Sequence, residues 1–240
     1  MSRNSLRRVR SFIAIELASG VKQRAHELIK QLKQTDADVR WVEPTEMHLT
    51  LKFLGEINRD EILPLCKITQ EITAQFPPFD IGFSGLGAFP NADEPRTLWI
   101  GVEEGLEELT ALHSALENAL HKQLGFGKER RKFTPHLTIG RVNQSSAGLI
   151  ATLDKLAEFA SDFTDVDELV IFASFLDKQK TTYETLGHAV LGEMPVSNLD
   201  DDDDDDDDDD SLDEDDEFDD DDLEDEDFDD SEWDQFEDRK

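Results

Sequence analysis

The chain has 240 residues, with 58 acidic and 24 basic side chains and a formal net charge of −34. Residues 199–240 hold 30 of those acids against only Arg239 and Lys240, which leaves 28 acids and 22 bases in residues 1–198, an ordinary balance for a soluble domain. About half of residues 1–198 are apolar or glycine, enough for a core that needs no disulfide or structural metal. The single Cys66 excludes an intrachain bridge, and no apolar run approaches the ~20 residues of a membrane span.

The opening MSRNSLRRVRS is basic, but only FIAI follows before Glu16, too short for a secretory apolar region, so a cytoplasmic protein is expected. Residues 12–17, FIAIEL, are β-branched and aromatic and predict a buried strand. Val21, Ala25, Leu28, Ile29 and Leu32 recur at spacings of three and four and predict a helix over about 21–34. MHLTLKFL at 47–54 predicts a strand stopped by Gly55, with a helix over 57–75. Strands are expected at 79–89 and 97–102, separated by Pro90, Asn91, Asp93 and Pro95. A helix at 105–124, a strand at 136–142, a helix at 147–160 and strands at 167–176 and 181–190 complete the series. Strand pairs joined without a helix argue an α+β fold with antiparallel sheets. No GxGxxG or Walker loop is present, so nucleotide cofactors lose their best support.

HLTL at 48–51 and HLTI at 136–139 repeat one pattern 88 residues apart, each in a predicted strand. Alternation puts His48 beside Thr50, and His136 beside Thr138, with aliphatic residues on the opposite face. Two imidazoles facing one cleft suit a reaction in which one takes a proton from a nucleophile and the other protonates a leaving oxygen. Imidazole fits because both of its protonation states are accessible near neutral pH. Threonine hydroxyls can donate to phosphoryl oxygens as charge builds there. No carboxylate stands at ligand spacing from either histidine, so neither a metal nor a cofactor is expected.

On these residues the chain resembles the 2H phosphoesterase superfamily, and within it the RNA 2′,3′-cyclic phosphodiesterases, also called the 2′-5′ RNA ligase or LigT-like family. The likeness runs from about Arg10 to Gly192 and includes FIAIEL, VRWVEPTEMHLTLKFLGE at 39–56, GLGAFPNADEPRTLWIGV at 85–102 and FTPHLTIGRV at 133–142. The resemblance implies two pseudo-symmetric lobes of antiparallel sheet plus helices around a central groove. It implies hydrolysis of RNA 2′,3′-cyclic phosphate ends to 2′-phosphomonoesters, with His48 as general acid, His136 as general base, and Thr50 and Thr138 on the phosphate. The alternatives are ligation of such ends to a 5′-hydroxyl, or a non-catalytic protein that binds RNA ends.

Arg141 matches an arginine of the family motif and is assigned to the phosphate. It stands an odd number of residues from His136, so it needs a bulge at Gly140 to reach the same face. Lys52 has the parity of His48 and is a candidate phosphate or RNA contact, as are Lys128, Arg130, Arg131 and Lys132 just before the second motif. Phe12, by resemblance, lies near the groove as a base-stacking candidate. His26, His113, His121 and His188 are expected to be structural or incidental.

The chain thus divides into a basic arm at 1–10, a bilobal domain at 11–198 and a tail at 199–240. The tail includes eleven consecutive aspartates at 200–210 and has too little apolar area to order itself, so disorder is expected. It is a candidate to contact the chain's own basic groove or a basic partner. RNA is the expected partner of the domain, with no membrane contact and a monomeric state.

Overall fold

The structure, a computed structural model, describes residues 8–177 and 180–192. Two units are distinguished, residues 1–197 and 198–240. The second, with the acidic tail and everything expected of it, lies outside the described residues, as do residues 1–7 of the basic arm.

In chain order the elements are β1 (Arg8–Glu16), α1 (Ser19–Leu32), β2 (Asp38–Trp41), β3 (His48–Asn58), α2 (Ile62–Thr73), β4 (Phe79–Phe89), β5 (Thr97–Glu104), α3 (Leu106–Leu124), β6 (His136–Gln144), α4 (Ala147–Lys155), β7 (Ala160–Val166), β8 (Glu168–Asp177) and β9 (Lys180–Val190). They build two antiparallel sheets, one in the order β3-β1-β8-β9 and the other β2-β6-β5-β4-β7. The fold is therefore α+β, as expected. Apart from the extra edge strand β2, the two orders correspond strand for strand, with motif strand β3 matching β6 and its neighbour β1 matching β5. The lobes are not the two halves of the sequence, because β8 and β9 close the first sheet while β4 belongs to the second.

The predicted apolar stripe of α1 is the buried one, Val21, Ala25, Leu28, Ile29 and Leu32. α3 buries Leu109, Leu112, Leu116 and Leu120 at similar spacings, and α4 starts at Ser146, whose side chain accepts from the Leu149 N–H at 3.1 Å. One main core joins these helix faces to the inner faces of both sheets. A second, small cluster of Phe12, Ala14, Val170 and Phe172, with Tyr183 against it, covers the opposite face of the first sheet. That face carries the first motif and is called the groove face below.

Several boundaries differ from expectation, and the helix expected from 57 begins only at Ile62 because β3 runs on to Asn58. β3 does not stop at Gly55 but bulges there, with Gly55 at φ 70°, and continues to Asn58 because Arg8–Arg10 of β1 offer it partners. Those residues of the basic arm are therefore part of a sheet. α4 ends at Lys155 rather than 160, where the chain is drawn into edge strand β7 by bonds from Gly85 N to Phe159 O and from Leu86 N to Ala157 O. β2 and β7 were not anticipated: β2 is four residues long, and β7 buries only Thr164 and Val166.

Each motif strand holds one extra residue just after its threonine. In the β1/β3 ladder Ala14 faces Thr50 but Ile13 faces Lys52, and in the β5/β6 ladder Trp99 faces Thr138 but Leu98 faces Gly140. The bulge turns Gly140 inward, where a Cβ would come within 2.9 Å of Val39 Cγ1 and 3.0 Å of the Trp41 ring. Gly140→Val should therefore cost about 1–3 kcal/mol in urea unfolding, the usual size of an overpacking penalty. Gly127→Val, with nothing within 4 Å of its Cβ position, should change stability by less than about 0.5 kcal/mol. Equal costs at the two positions would contradict this bulge geometry.

Candidate active site

His48 opens β3 directly after a 3-10 turn at Pro44–Glu46. Its ring stacks on Phe12 at 4.8 Å and 28°, meets Tyr183 edge-on at 5.2 Å, and lies 6.3 Å from Phe172. These three rings come from three other strands of the first sheet, so β1, β8 and β9 together fix the orientation of one imidazole. Burial against them lowers the His48 pKa to about 4, with Lys22 adding to the effect and a hydrogen bond to the Glu46 backbone working against it. In the ligand-free groove the ring is neutral at physiological pH. A phosphate anion beside it would supply the charge that burial has removed and raise its proton affinity.

His136 likewise opens β6, but from an extended stretch without a 3-10 turn. Its Nδ1 lies 2.8 Å from the Thr134 carbonyl oxygen, which can only accept, so Nδ1 carries the proton and Nε2 the lone pair of the neutral ring. Phe89 meets this ring edge-on at 5.0 Å and Trp99 lies 6.3 Å away. Each motif histidine is thus tied to the backbone two residues before it and walled by aromatic rings. The two motif strands lie against each other although they belong to different sheets.

Thr50 and Thr138 are partly buried, on the same faces as His48 and His136. The extra residue at Ile139–Gly140 restores Arg141 to the face of Thr138, as its assignment requires: it pairs in register with Thr97, and it repels Arg10 and perturbs Tyr183. A sheet-two arginine therefore lies within electrostatic reach of the tyrosine that packs on sheet-one His48.

Two of the sequence expectations are corrected, one by this bulge and one by packing. Counted along a straight strand, Lys52 shares the face of His48; beyond the bulge it turns inward. It is 2 % exposed and its Nζ lies 2.7 Å from Glu117 Oε1 and 4.0 Å from Glu129 Oε1. Lys52 is a buried ion-pair partner and presents no surface to RNA. Phe12 does lie in the groove sheet, but it is 4 % exposed, ringed by His48, Phe172, Tyr183 and Phe53 at centroid distances of 4.8, 5.3, 5.4 and 6.3 Å. It is the floor of the His48 pocket and has no open face for a base.

Lys128, Arg130, Arg131 and Lys132 are exposed on the segment between α3 and β6. Within that run Glu129 is the anchor: its N–H donates to Glu117 Oε1 at 2.8 Å, and its carboxylate accepts from the Phe53 backbone. Burial works to raise the Glu117 carboxyl, but the hydrogen bonds from Glu129 and Lys52 outweigh it and the group titrates below its usual range. Burial and the nearby Glu117 push Glu129 up. His113 stacks on Phe133 at 3.8 Å and 4° and holds the far end of the segment.

Sequence reasoning left out Arg40 and the place of Arg10 in a sheet. Arg40 faces Arg141 across the β2/β6 ladder, while Arg10, Ser174 and Tyr183 form one row across the first sheet. All three arginines lower the Tyr183 hydroxyl pKa, although burial and Glu46 leave it raised on balance. Like charges directly opposite one another are unfavourable in a sheet, so this guanidinium grouping is suited to an anion. Arg10 was legible from its shared parity with Phe12; Arg40 depends on a strand too short to show periodicity. Among the described residues no group of three or more His, Cys, Asp or Glu stands together as a metal site would need. Among them, too, no helix is long and apolar enough to cross a membrane.

Two antiparallel sheets, each delivering a His-x-Thr strand with a bulge at the same step, define a duplicated phosphoesterase scaffold. The family model LigT like Phosphoesterase matches the chain twice, over residues 15–99 and 100–183, one motif in each copy. The chain belongs to the LigT-like phosphoesterase family. It is 34% identical over 179 residues to the RNA 2′,3′-cyclic phosphodiesterase of Archaeoglobus fulgidus, covering 74% of this chain and 98% of that protein. It is 33% identical over 189 residues to that of Aquifex aeolicus, covering 77% and 98%. Two solved structures share its fold. TT0787 of Thermus thermophilus has a TM-score of 0.65 at 24% identity, covering 76% of this chain and 98% of that one. Apo LigT of E. coli has a TM-score of 0.63 at 23% identity, covering 78% and 99%.

The half-buried His48 ring, enclosed by aromatic side chains, makes stability depend on pH. Unfolded, it takes up its proton near the ordinary value of 6.5; folded, only near about 4. Between these values the unfolded chain binds more protons, so stability falls as pH drops through that window. Wild type should lose about 2 kcal/mol more than His48→Ala in urea unfolding between pH 7 and pH 4.5. Identical losses would mean that His48 is not held neutral by burial.

Proposed function

We propose that this chain hydrolyses the 2′,3′-cyclic phosphate at RNA ends to a 2′-phosphomonoester, with His48 and His136 as its proton-transfer pair. The observation that carries the reading is the duplicated His-x-Thr strand, each histidine anchored to backbone and walled by rings, in a chain whose relatives bear the name RNA 2′,3′-cyclic phosphodiesterase. In this reading Nε2 of His136 takes a proton from water as the water oxygen attacks phosphorus. The P–O3′ bond breaks, and His48, protonated alongside the bound anion, returns a proton to the 3′ oxygen. Thr50, Thr138 and Arg141 hold the phosphoryl oxygens. The working species is read as a cytoplasmic monomer.

Every proton is moved by a side chain, so EDTA should leave the rate unchanged. Either His48→Ala or His136→Ala should lower kcat/KM on a cyclic-phosphate-ended oligonucleotide by about a hundred- to ten-thousand-fold, while the circular dichroism spectrum stays that of the wild type. The product should carry a 2′-phosphate and a free 3′-hydroxyl. Near-normal turnover by either folded variant would refute the proposed roles.

The 30 acids of residues 199–240 are proposed to compete with RNA for the cations of the domain. A chain ending at Asn198 should then bind RNA more tightly than the full chain at 20 mM salt, with the difference fading at 300 mM as screening grows. Equal affinities at low salt would dismiss the competition.

A further inference from the structure

The two motif histidines stand on strands of different sheets, and a tie runs between those strands through the interior. It begins at Lys52, two residues past Thr50, which the bulge turns away from the groove and which is 2 % exposed. Its Nζ meets Glu117 Oε1 of α3 at 2.7 Å and Glu129 Oε1 at 4.0 Å. The same Glu117 oxygen accepts the Glu129 N–H at 2.8 Å, and the Glu129 carboxylate accepts from the Phe53 backbone. One buried cation therefore gathers the first motif strand, a helix and the segment that leads from α3 to β6. An apolar side chain at position 52 would avoid the desolvation cost of an ammonium, but it would hold neither carboxylate.

α3 grips that segment a second time. His113 lies four residues before Glu117, on the same side of the helix, and its ring stacks on Phe133 at 3.8 Å and 4°. Phe133 adjoins Thr134, whose carbonyl oxygen lies 2.8 Å from His136 Nδ1. Thr134 is itself exposed, so its carbonyl is placed by the held segment rather than by packing of the threonine. A neutral imidazole carries one N–H, and the hydrogen bond at one nitrogen selects the tautomer. Keeping the proton on Nδ1 is what leaves the Nε2 lone pair available to a water.

We propose that Lys52 is a positioning residue for His136: from the first motif strand it fixes, through Glu117 and Glu129, the segment whose Thr134 carbonyl keeps the His136 proton on Nδ1. The inference rests on the phosphodiesterase reading for the use made of Nε2, whereas the tautomer can be read without it. The test records the His136 ring nitrogens by nitrogen-15 NMR of the full chain at pH 8, assigned against His136→Ala, where protonated and bare ring nitrogens have well-separated shifts. Steady-state kinetics on an oligonucleotide ending in a 2′,3′-cyclic phosphate accompany it. Wild type should show a protonated Nδ1 and a bare Nε2. In Lys52→Met the two shifts should move towards each other as the second tautomer appears, and kcat should fall by about ten- to a hundredfold with KM within twofold. Lys52→Met/Glu117→Gln removes both charges of the closest pair, leaves the fold less strained than the single change, and should give the same result. Lys67→Met, which removes only a surface pair with Glu71, should change neither readout. Unmoved His136 shifts in either folded Lys52 variant would overturn the inference, whatever happens to kcat, because any loss of rate would then come from elsewhere. If wild type opened no cyclic phosphate, the phosphodiesterase reading would fail, and the ring shifts would still decide the role of Lys52.

Discussion

A strand shows its side chains to alternate faces, and one inserted residue reverses everything that follows it. In this protein that reversal comes at the same step in both motif strands, after Thr50 and after Thr138. Upstream, histidine and threonine share the groove; downstream, Phe53 and Arg141 rejoin them while Lys52 and Gly140 turn to the interior. The groove thus displays three side chains from six consecutive residues of each strand, which strict alternation also allows, but with the third one step later. Removing either bulge would send Arg141 or Phe53 into the core and bring Lys52 or a bare glycine to the surface.

The inward-facing positions are managed differently in the two lobes. At Gly140 the space is filled by Val39 and Trp41, and a side chain there would have to displace them. At Lys52 a cation enters the interior and is met by Glu117 and Glu129. A buried ion pair of this kind gives little net stability compared with apolar packing, because desolvation consumes much of the attraction. What it supplies here is placement: α3 and the segment that follows it are fixed to a strand 65 or more residues earlier in the chain.

Most of the architecture was legible because it rests on local pattern. The α1 stripe, the antiparallel pairs and the duplicated His-x-Thr strands follow from spacing alone, and Gly140 gave notice of a bulge because Arg141 had the wrong parity without one. The parallel bulge in β3 gave no such notice. Lys52 sits in a run of side chains that all suit a strand, so simple alternation placed it beside His48. Phe12 was seen as a groove residue, but its neighbours Phe172 and Tyr183 lie more than 150 residues away in the sequence, and only the pairing of β1 with β8 reveals that its face is covered. β7 was hidden because only two of its seven residues are buried.

The first sheet is closed by strands from the two ends of the domain: β1 and β3 are made early in translation, β8 and β9 last. A nascent polypeptide emerging from the ribosome carries both histidines long before Phe172 and Tyr183 exist to seat the first of them. Its ring pocket is assembled only when almost the whole domain has been synthesised, and pairings between such distant segments are slow to form. Fragments released by premature termination would therefore carry the motifs without the means to orient them, and would leave cellular RNA ends untouched.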